Sequence, residues 1–560
     1  MNSNLITNTF TFKDLLLKKL YYSVICSVFS QLIVLLTYVF ISNINIAHPS
    51  DWILSTVNTF LSLSTWLFVI PFITIIFAQS IICSKDYISK PSYCSTRFQQ
   101  FISAFSIRNL ILLVLNIIVG TASVWMFLSL GGEHQNLTSI CKGQSYCLNE
   151  GSLYLISSGL WTGFYYFAKV YISEKHLEFP VIHQNKVLQF KSQLIPLIKE
   201  SLIKSVWPLF YFVFLYTLWG NMFYQNLRAT FGLLEGETSD RSFIYLKLWM
   251  FSTIYYFNMN MMRFFFNVFL TEPVEFPPCK QTDDSLCLQD FIHTSDFPIV
   301  QNLACLDLSN LAQWSKQRRQ VFFTLSQPGG HPHIWNSLVE SVLRLLTEYT
   351  ELLSKSTESM ERVSKPLPQV PIQSPIKYQN LRNMSCSSDM MTDIVDITHT
   401  SVPVISSVKA ATDKLQEKIT NMFGILKVLL GINFLFGELP QANIQKCLAN
   451  GLTIIWTCQG ISDLACASIM EDKYGIVQKD IPAIVNTLVK LKQNLDKLNK
   501  ISALSKKIAG YDDFNYKMKG AVSAAVKRSL FNICRTFGKF MSEFPLNKDV
   551  ALYLQTIYKS

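Results

Sequence analysis

The sequence predicts an all-α protein: a six-span transmembrane helical domain, followed by a helical C-terminal region that is interrupted by a disordered linker. Three observations lead there. The 560 residues are 49% hydrophobic and 16% charged, whereas a soluble globular chain carries about a quarter charged residues. The shortage is local: residues 20–270 read as apolar blocks cut by short polar loops, and the rest reads as ordinary soluble chain. The blocks are long enough to be spanning helices, because a hydrocarbon core of about 30 Å needs roughly 20 residues at about 1.5 Å each. A soluble single-domain enzyme, a disordered chain and a secreted disulfide scaffold are excluded.

Residues 1–20 form a cytosolic N-terminal segment and 21–270 hold the six spans. The first runs over Tyr21–Ser42 and has no ionisable residue. It is too long for a cleavable signal sequence and reads as a signal anchor, with Lys18 and Lys19 held on the cytosolic side. The second covers Phe60–Cys83 with Pro71 inside, and the third Leu110–Leu130. The fourth covers Leu153–Ile172, the fifth Ser205–Phe223 and the sixth Phe243–Leu270. Lys247 and Arg263 near the ends of the sixth can snorkel to the headgroups, so it stays one tilted span.

Orientation follows from the loop cations. The N-terminal segment and the loops after the second and fourth spans hold twelve Lys and Arg, against three in the alternate loops. Both termini are therefore expected in the cytosol. Asn136-Leu137-Thr138 is a glycosylation sequon in a loop then expected to be lumenal. Cys141 and Cys147 share that loop, where the oxidising lumen permits a disulfide. The other 11 of the 13 Cys are expected as free thiols.

No acid lies inside a span, which argues against an ion-coupled transporter. Asn116, Gln79, Asn258 and Asn260 are read as helix–helix hydrogen-bonding residues rather than a substrate path. Between Val187 and Val206, apolar residues recur at three and four spacing with Lys191, Lys199 and Lys204 on the other side. That pattern fits a basic amphipathic helix on the membrane surface or a plain run-in to the fifth span.

The soluble part divides into a helical region 271–355, a disordered Pro- and Ser-rich linker 356–408, and a C-terminal helical domain 409–560. In the first region Leu303, Leu306, Leu311 and Trp314 form one helical stripe. Ser326-Gln327-Pro328-Gly329-Gly330-His331-Pro332-His333 is a turn opening the next helix, and the two His are read as structural rather than metal-ligating. The last domain shows stripes at Leu415–Leu430, Ile444–Met470 and Ile484–Leu498, then helical pieces over Asp513–Met541 and Lys548–Tyr558. No nucleotide-binding loop, hydrolase elbow or zinc motif occurs. The expectation is a non-enzyme with no cofactor, no metal, no small-molecule substrate and no direct nucleic-acid contact. The net charge of +11 matches a basic cytosolic face that favours anionic lipids.

Three stretches carry a family resemblance: Leu270-Thr271-Glu272-Pro273-Val274-Glu275-Phe276-Pro277, Leu325 to Trp335 around the Pro-Gly-Gly turn, and Glu471-Asp472-Lys473-Tyr474-Gly475-Ile476-Val477-Gln478 with the following Ile481 to Leu488. Together with the order of parts, they resemble the nuclear division cycle family of transmembrane nucleoporins. The resemblance implies a structural protein of the nuclear envelope, multi-pass, with both termini on the cytosolic or nucleoplasmic side. It implies anchoring of the pore complex, support of pore insertion and recruitment of soluble nucleoporins by the C-terminal region. The implied partners are WD-repeat Aladin-type and amphipathic-helix linker nucleoporins, besides membrane lipids. The alternative is a six-span transporter or channel with a regulatory cytosolic tail.

Overall fold

The computed structural model describes residues 12–44, 47–88, 96–130, 137–140, 146–171, 179–180, 184–235, 241–279, 286–293, 297–325, 330–364, 436, 442–504, 513–538, 540, 543–546 and 550–554. The apolar half forms nine helices among these: α1 (Phe12–Ser42), α2 (Pro49–Leu61), α3 (Leu63–Ile88), α4 (Arg97–Ala104), α5 (Ile107–Leu130), α6 (Glu150–Tyr171), α7 (Lys186–Lys204), α8 (Val206–Phe231) and α9 (Arg241–Leu270). Every expected span has its helix. The second starts later than Phe60, because Ser62 is extended (ψ 134°) and separates α2 from α3. The helix α2 itself falls in a stretch expected as loop.

Five stretches are long and apolar enough to cross a membrane by length and composition: Asp14–Ser42, Leu63–Ile81, Ile107–Leu130, Lys186–Phe231 and Gly451–Glu471. Four overlap expected spans. The fifth packs among the helices that follow α9. Helices α6 and α9 miss this standard because they are richer in polar residues, and the packing explains why they can be. α9 is the hub of the bundle, packed on α1, α5, α6, α7 and α8. Its Ser252, Tyr255, Tyr256 and Asn258 are buried against protein. The count of six spans is thus a proposal, whereas the helical architecture is observed.

Polar residues in the bundle interior pair across helices. Gln79 Nε2 of α3 donates to Asn116 Oδ1 of α5 at 2.9 Å, and the Tyr255 hydroxyl of α9 donates to the same oxygen at 3.0 Å. Asn260 Nδ2 donates to Ser201 Oγ of α7 at 3.2 Å. α5 and α6 approach so closely that side chains have no room. A Cβ on Gly120 would lie 2.3 Å from the Gly159 carbonyl oxygen, and one on Gly163 would lie 2.3 Å from that of Asn116. Gly159 and Gly163 stand four apart, the small-residue spacing that lets spanning helices pack backbone to backbone.

α7 packs on protein along one side. It runs antiparallel along α9: Phe190 stacks on Phe265 at one end, and Ser205 Oγ meets Thr253 Oγ1 at 2.8 Å at the other. It leads directly into α8 through Ser205, which is itself helical.

The loops at the far end of the bundle form a small sheet. β1 (Thr138–Ile140) pairs antiparallel with β2 (Tyr146–Leu148), and β2 pairs parallel with β3 (Leu234–Glu235). The loop before α6 and the loop before α9 therefore sit at the same end.

The chain after α9 contains α10 (Leu288–His293), α11 (Pro298–Trp314), α12 (Lys316–Gln320) and α13 (His333–Ser364). Then come α14 (Ala442–Ala449), α15 (Gly451–Glu471), α16 (Ile481–Leu504) and α17 (Asp513–Phe537). α15 lies between α11 and α17, and α13 packs on α16. The stripe Ile484, Leu488, Leu491, Leu495 and Leu498 is fully buried, as its spacing predicts. The Ile444–Met470 stripe is two helices, broken at Asn450. α13 continues to Ser364, past the expected start of the linker at 356. The rest of that linker and the stripe Leu415–Leu430 lie outside the described residues.

Candidate docking face on the tail

The three family-like stretches, remote in sequence, meet on one scaffold. Where the chain leaves α9, Lys19 Nζ of α1 donates to the carbonyls of Phe269 at 3.0 Å and Glu272 at 2.7 Å. Lys186 pairs with the Glu272 carboxylate at 2.7 Å. The tail thus starts from a point held by both α1 and α7.

Four residues on, Phe276 is gripped on both sides of its peptide. Its N–H donates to Asp307 Oδ2 at 2.9 Å, and its carbonyl accepts from Arg318 Nη2 at 2.7 Å. Arg318 also bonds both Asp307 oxygens at 2.8 Å, a two-pronged guanidinium–carboxylate pair. Asp307 is buried, so burial pushes its carboxyl above the ordinary carboxylate range, and Arg318 and the Phe276 N–H pull it only part of the way back. Leu288 N–H then donates to the Pro277 carbonyl at 2.9 Å and starts α10. In that turn the Cys287 thiol is pushed up to about 11 by burial and by its bond to Asp290.

The Pro-Gly-Gly stretch opens α13. The Pro332 carbonyl accepts from Asn336 N–H at 3.0 Å, which begins the helix. Trp335 is fully buried, yet its Nε1 needs an acceptor, and Asp480 Oδ2 supplies one at 2.9 Å. Beside it Lys479 Nζ donates to Asn336 Oδ1 at 2.9 Å. Both partners belong to the segment that follows the third stretch. In that stretch Asp472 accepts from Tyr474 N–H at 3.0 Å and Val477 N–H at 2.9 Å, and Gly475 takes the left-handed turn (φ +66°) that closes the loop. Of the candidate residues, Gly330, Pro332, His331 and His333 sit at the mouth of α13. The two His rings stand 6.0 Å apart, and His333 N–H donates to the His331 carbonyl at 2.9 Å. Ser326, Gln327, Pro328 and Gly329 lie outside the described residues. So do Asn136 and Cys141. Cys147 is buried and disulfide-bonded.

A second pair joins α11 to the third stretch. Arg319 bonds both oxygens of Glu471, at 2.8 and 3.2 Å, and its Nη1 closes the end of α11 on the Ala312 carbonyl at 2.8 Å. Near this pair two large apolar side chains are left exposed among polar ones. Trp314 is 82% exposed and Met470 89% exposed. Trp314 lines an open pocket with Gln313, Arg319, Asp463 and Ala467. Met470 lies on the same face of α15 as Asp463 and Ala467, seven and three residues on, and Gln313 ties α11 to that face through Asp463 at 2.9 Å. Trp314 shares its helical stripe with Leu303, Leu306 and Leu311, which are buried. Its turn is the last of α11, and the residues that follow, Lys316–Gln320, are all polar and cannot cover it. Met470 gave no signal in the sequence, since it ends an apolar run that is otherwise core.

The class of protein follows from this arrangement: a helical membrane protein with a helical tail. The chain belongs to the nucleoporin Ndc1-Nup family, whose family model matches residues 14–555. It is 26% identical to nucleoporin Ndc1 of Drosophila melanogaster, over 95% of each chain. It is 25% identical to nucleoporin NDC1 of Mus musculus, over 93% of each. The same identity holds for nucleoporin NDC1 of Homo sapiens, again over 93% of each. The protein is a non-enzymatic structural nucleoporin of the pore membrane.

Proposed function

We propose that this protein anchors the nuclear pore complex in the nuclear envelope and recruits soluble nucleoporins through its tail. Six helices, α1, α3, α5, α6, α8 and α9, cross the membrane, with both termini on the cytosolic or nucleoplasmic side. In this orientation the small sheet is lumenal, Cys147 pairs with Cys141, and Asn136 is open to glycosylation. Anchoring and recruitment support assembly, because a partner bound to the tail is held at the membrane where new pores insert.

The observation that carries the proposal is the exposed Trp314 and Met470 surface on a scaffold fixed to the bundle. Tryptophan is enriched in binding hot spots, and a flexible exposed methionine adapts to a partner's shape. The Phe276 grip and the Lys19 and Lys186 contacts give the tail a defined direction from the membrane, so a partner docked there is oriented as well as bound. The fitting partners are other nucleoporins, of the WD-repeat Aladin type and of the amphipathic-helix linker type. Weak contacts repeated around a ring would add up by avidity.

The test is co-purification from cell extract on the full chain in nanodiscs, compared with a Trp314→Ala, Met470→Ala variant. The proposal expects soluble nucleoporins on the wild type and at least about a tenfold loss on the variant, as for a hot-spot residue worth 2 kcal/mol or so. Equal recovery on both would move recruitment off this face.

A further inference from the structure

Helix α2 (Pro49–Leu61) divides into three faces. Trp52, Thr56 and Phe60, four apart, face the bundle: Trp52 Nε1 donates to the Phe40 carbonyl at 2.7 Å, Thr56 is buried, and the Phe60 ring meets Trp66 at 5.6 Å. Asp51, Ser55 and Asn58 make an exposed polar face. Ile53, Leu54, Val57 and Leu61 make an exposed apolar face, 45–68% accessible. A helix in water with one side packed on protein has no reason to hold a second, exposed apolar side.

We propose that this face is buried in the bilayer, so that α2 lies in the headgroup and upper acyl layer at the end of the bundle away from the tail. Continuity identifies the occupant. One residue beyond α2, the exposed Leu63, Leu67 and Ile70 carry the apolar surface onto the outside of α3, a helix apolar and long enough to cross a membrane. Before α2, the exposed Ile41 and Ile44 close the other side. At about 1.5 Å per residue α2 spans only about 20 Å, too little to cross a core of about 30 Å. Its place, between the end of α1 and the start of α3 and beside Ser129 and Leu130 at the end of α5, is the rim of the bundle. It carries no Lys or Arg, so insertion needs neutral lipid only. The inference rests on the bundle being in a membrane, as proposed above.

The test reconstitutes the full chain in phosphatidylcholine vesicles with a photoreactive diazirine residue in place of Ile53 or Val57. Ser55 or Asn58 serves for the opposite face, and Phe214 for the exposed side of α8. Lipid adducts at 53, 57 and 214, at least tenfold above 55 and 58, are the expected result. Adducts at 214 with only water or protein adducts at 53 and 57 would overturn the inference and leave the membrane bundle intact. Failure at 214 as well would remove both.

Discussion

Replacing Asp307 by alanine is expected to destabilise the start of the tail, where the segment leaving α9 is held on α11. The carboxylate holds three groups at once: two nitrogens of Arg318 and the N–H of Phe276. Its side chain is 3% exposed and that of Arg318 is 20% exposed, so a stranded guanidinium finds little water. Breaking such a pair from one side costs about 3–5 kcal/mol. At about 2–4 °C per kcal/mol for a domain of this size, thermal unfolding of the detergent-solubilised chain, followed by tryptophan fluorescence, should fall by about 6–20 °C. The double variant Asp307→Leu, Arg318→Leu should recover most of that loss, because it removes both desolvated charges together. The raised carboxyl gives the sign with pH. A folded-state value above the unfolded one means the ionised carboxylate costs stability at neutral pH, and the cost is relieved as pH falls through the raised value. Wild type should therefore gain stability relative to the double variant as pH falls through the raised value. A loss under about 2 °C for Asp307→Ala, or a double variant as damaged as the single, would refute the reasoning.

Three further outcomes are expected. Gly159→Leu would set a Cβ 2.7 Å from the Gly120 carbonyl oxygen and 2.8 Å from Val124 Cγ2, and should destabilise the bundle by about 1–3 kcal/mol, read as a lower melting temperature. Asn116→Leu takes the acceptor from Gln79 and Tyr255 and should cost about 1–3 kcal/mol, given cross-helix bonds of about 0.6–1.7 kcal/mol each. A solute flux through reconstituted wild type, lost in that variant, would instead point to a substrate path. The thiols of Cys287 and Cys305, pushed up to about 11 and about 12 by burial, should resist maleimide at mildly alkaline pH in the native chain and react after unfolding. Prompt native labelling of Cys305 would contradict its full burial.

Periodicity made most helices legible, because a face that must be buried repeats every three to four residues whether lipid or protein covers it. The stripe from Ile484 to Leu498 is an example. The same rule misled at Trp314, which keeps the period of α11 but stands where no further element covers it. It was also ambiguous over Val187–Val206, where an amphipathic pattern fits a surface helix and a helix packed on α9 equally well. Helix α2 was missed because thirteen residues with two opposed exposed faces read as loop. Long-range pairs such as Trp335 with Asp480, or Arg319 with Glu471, join residues about 150 apart, and spacing along a single chain carries no trace of them.

The central claim is that this chain sits in the pore membrane and holds soluble nucleoporins there. The most direct measurement is to image the full chain in living cells with a fluorescent protein at its C-terminus. A punctate nuclear rim coinciding with pore markers is the expected result. A diffuse reticular or plasma-membrane pattern would contradict the account.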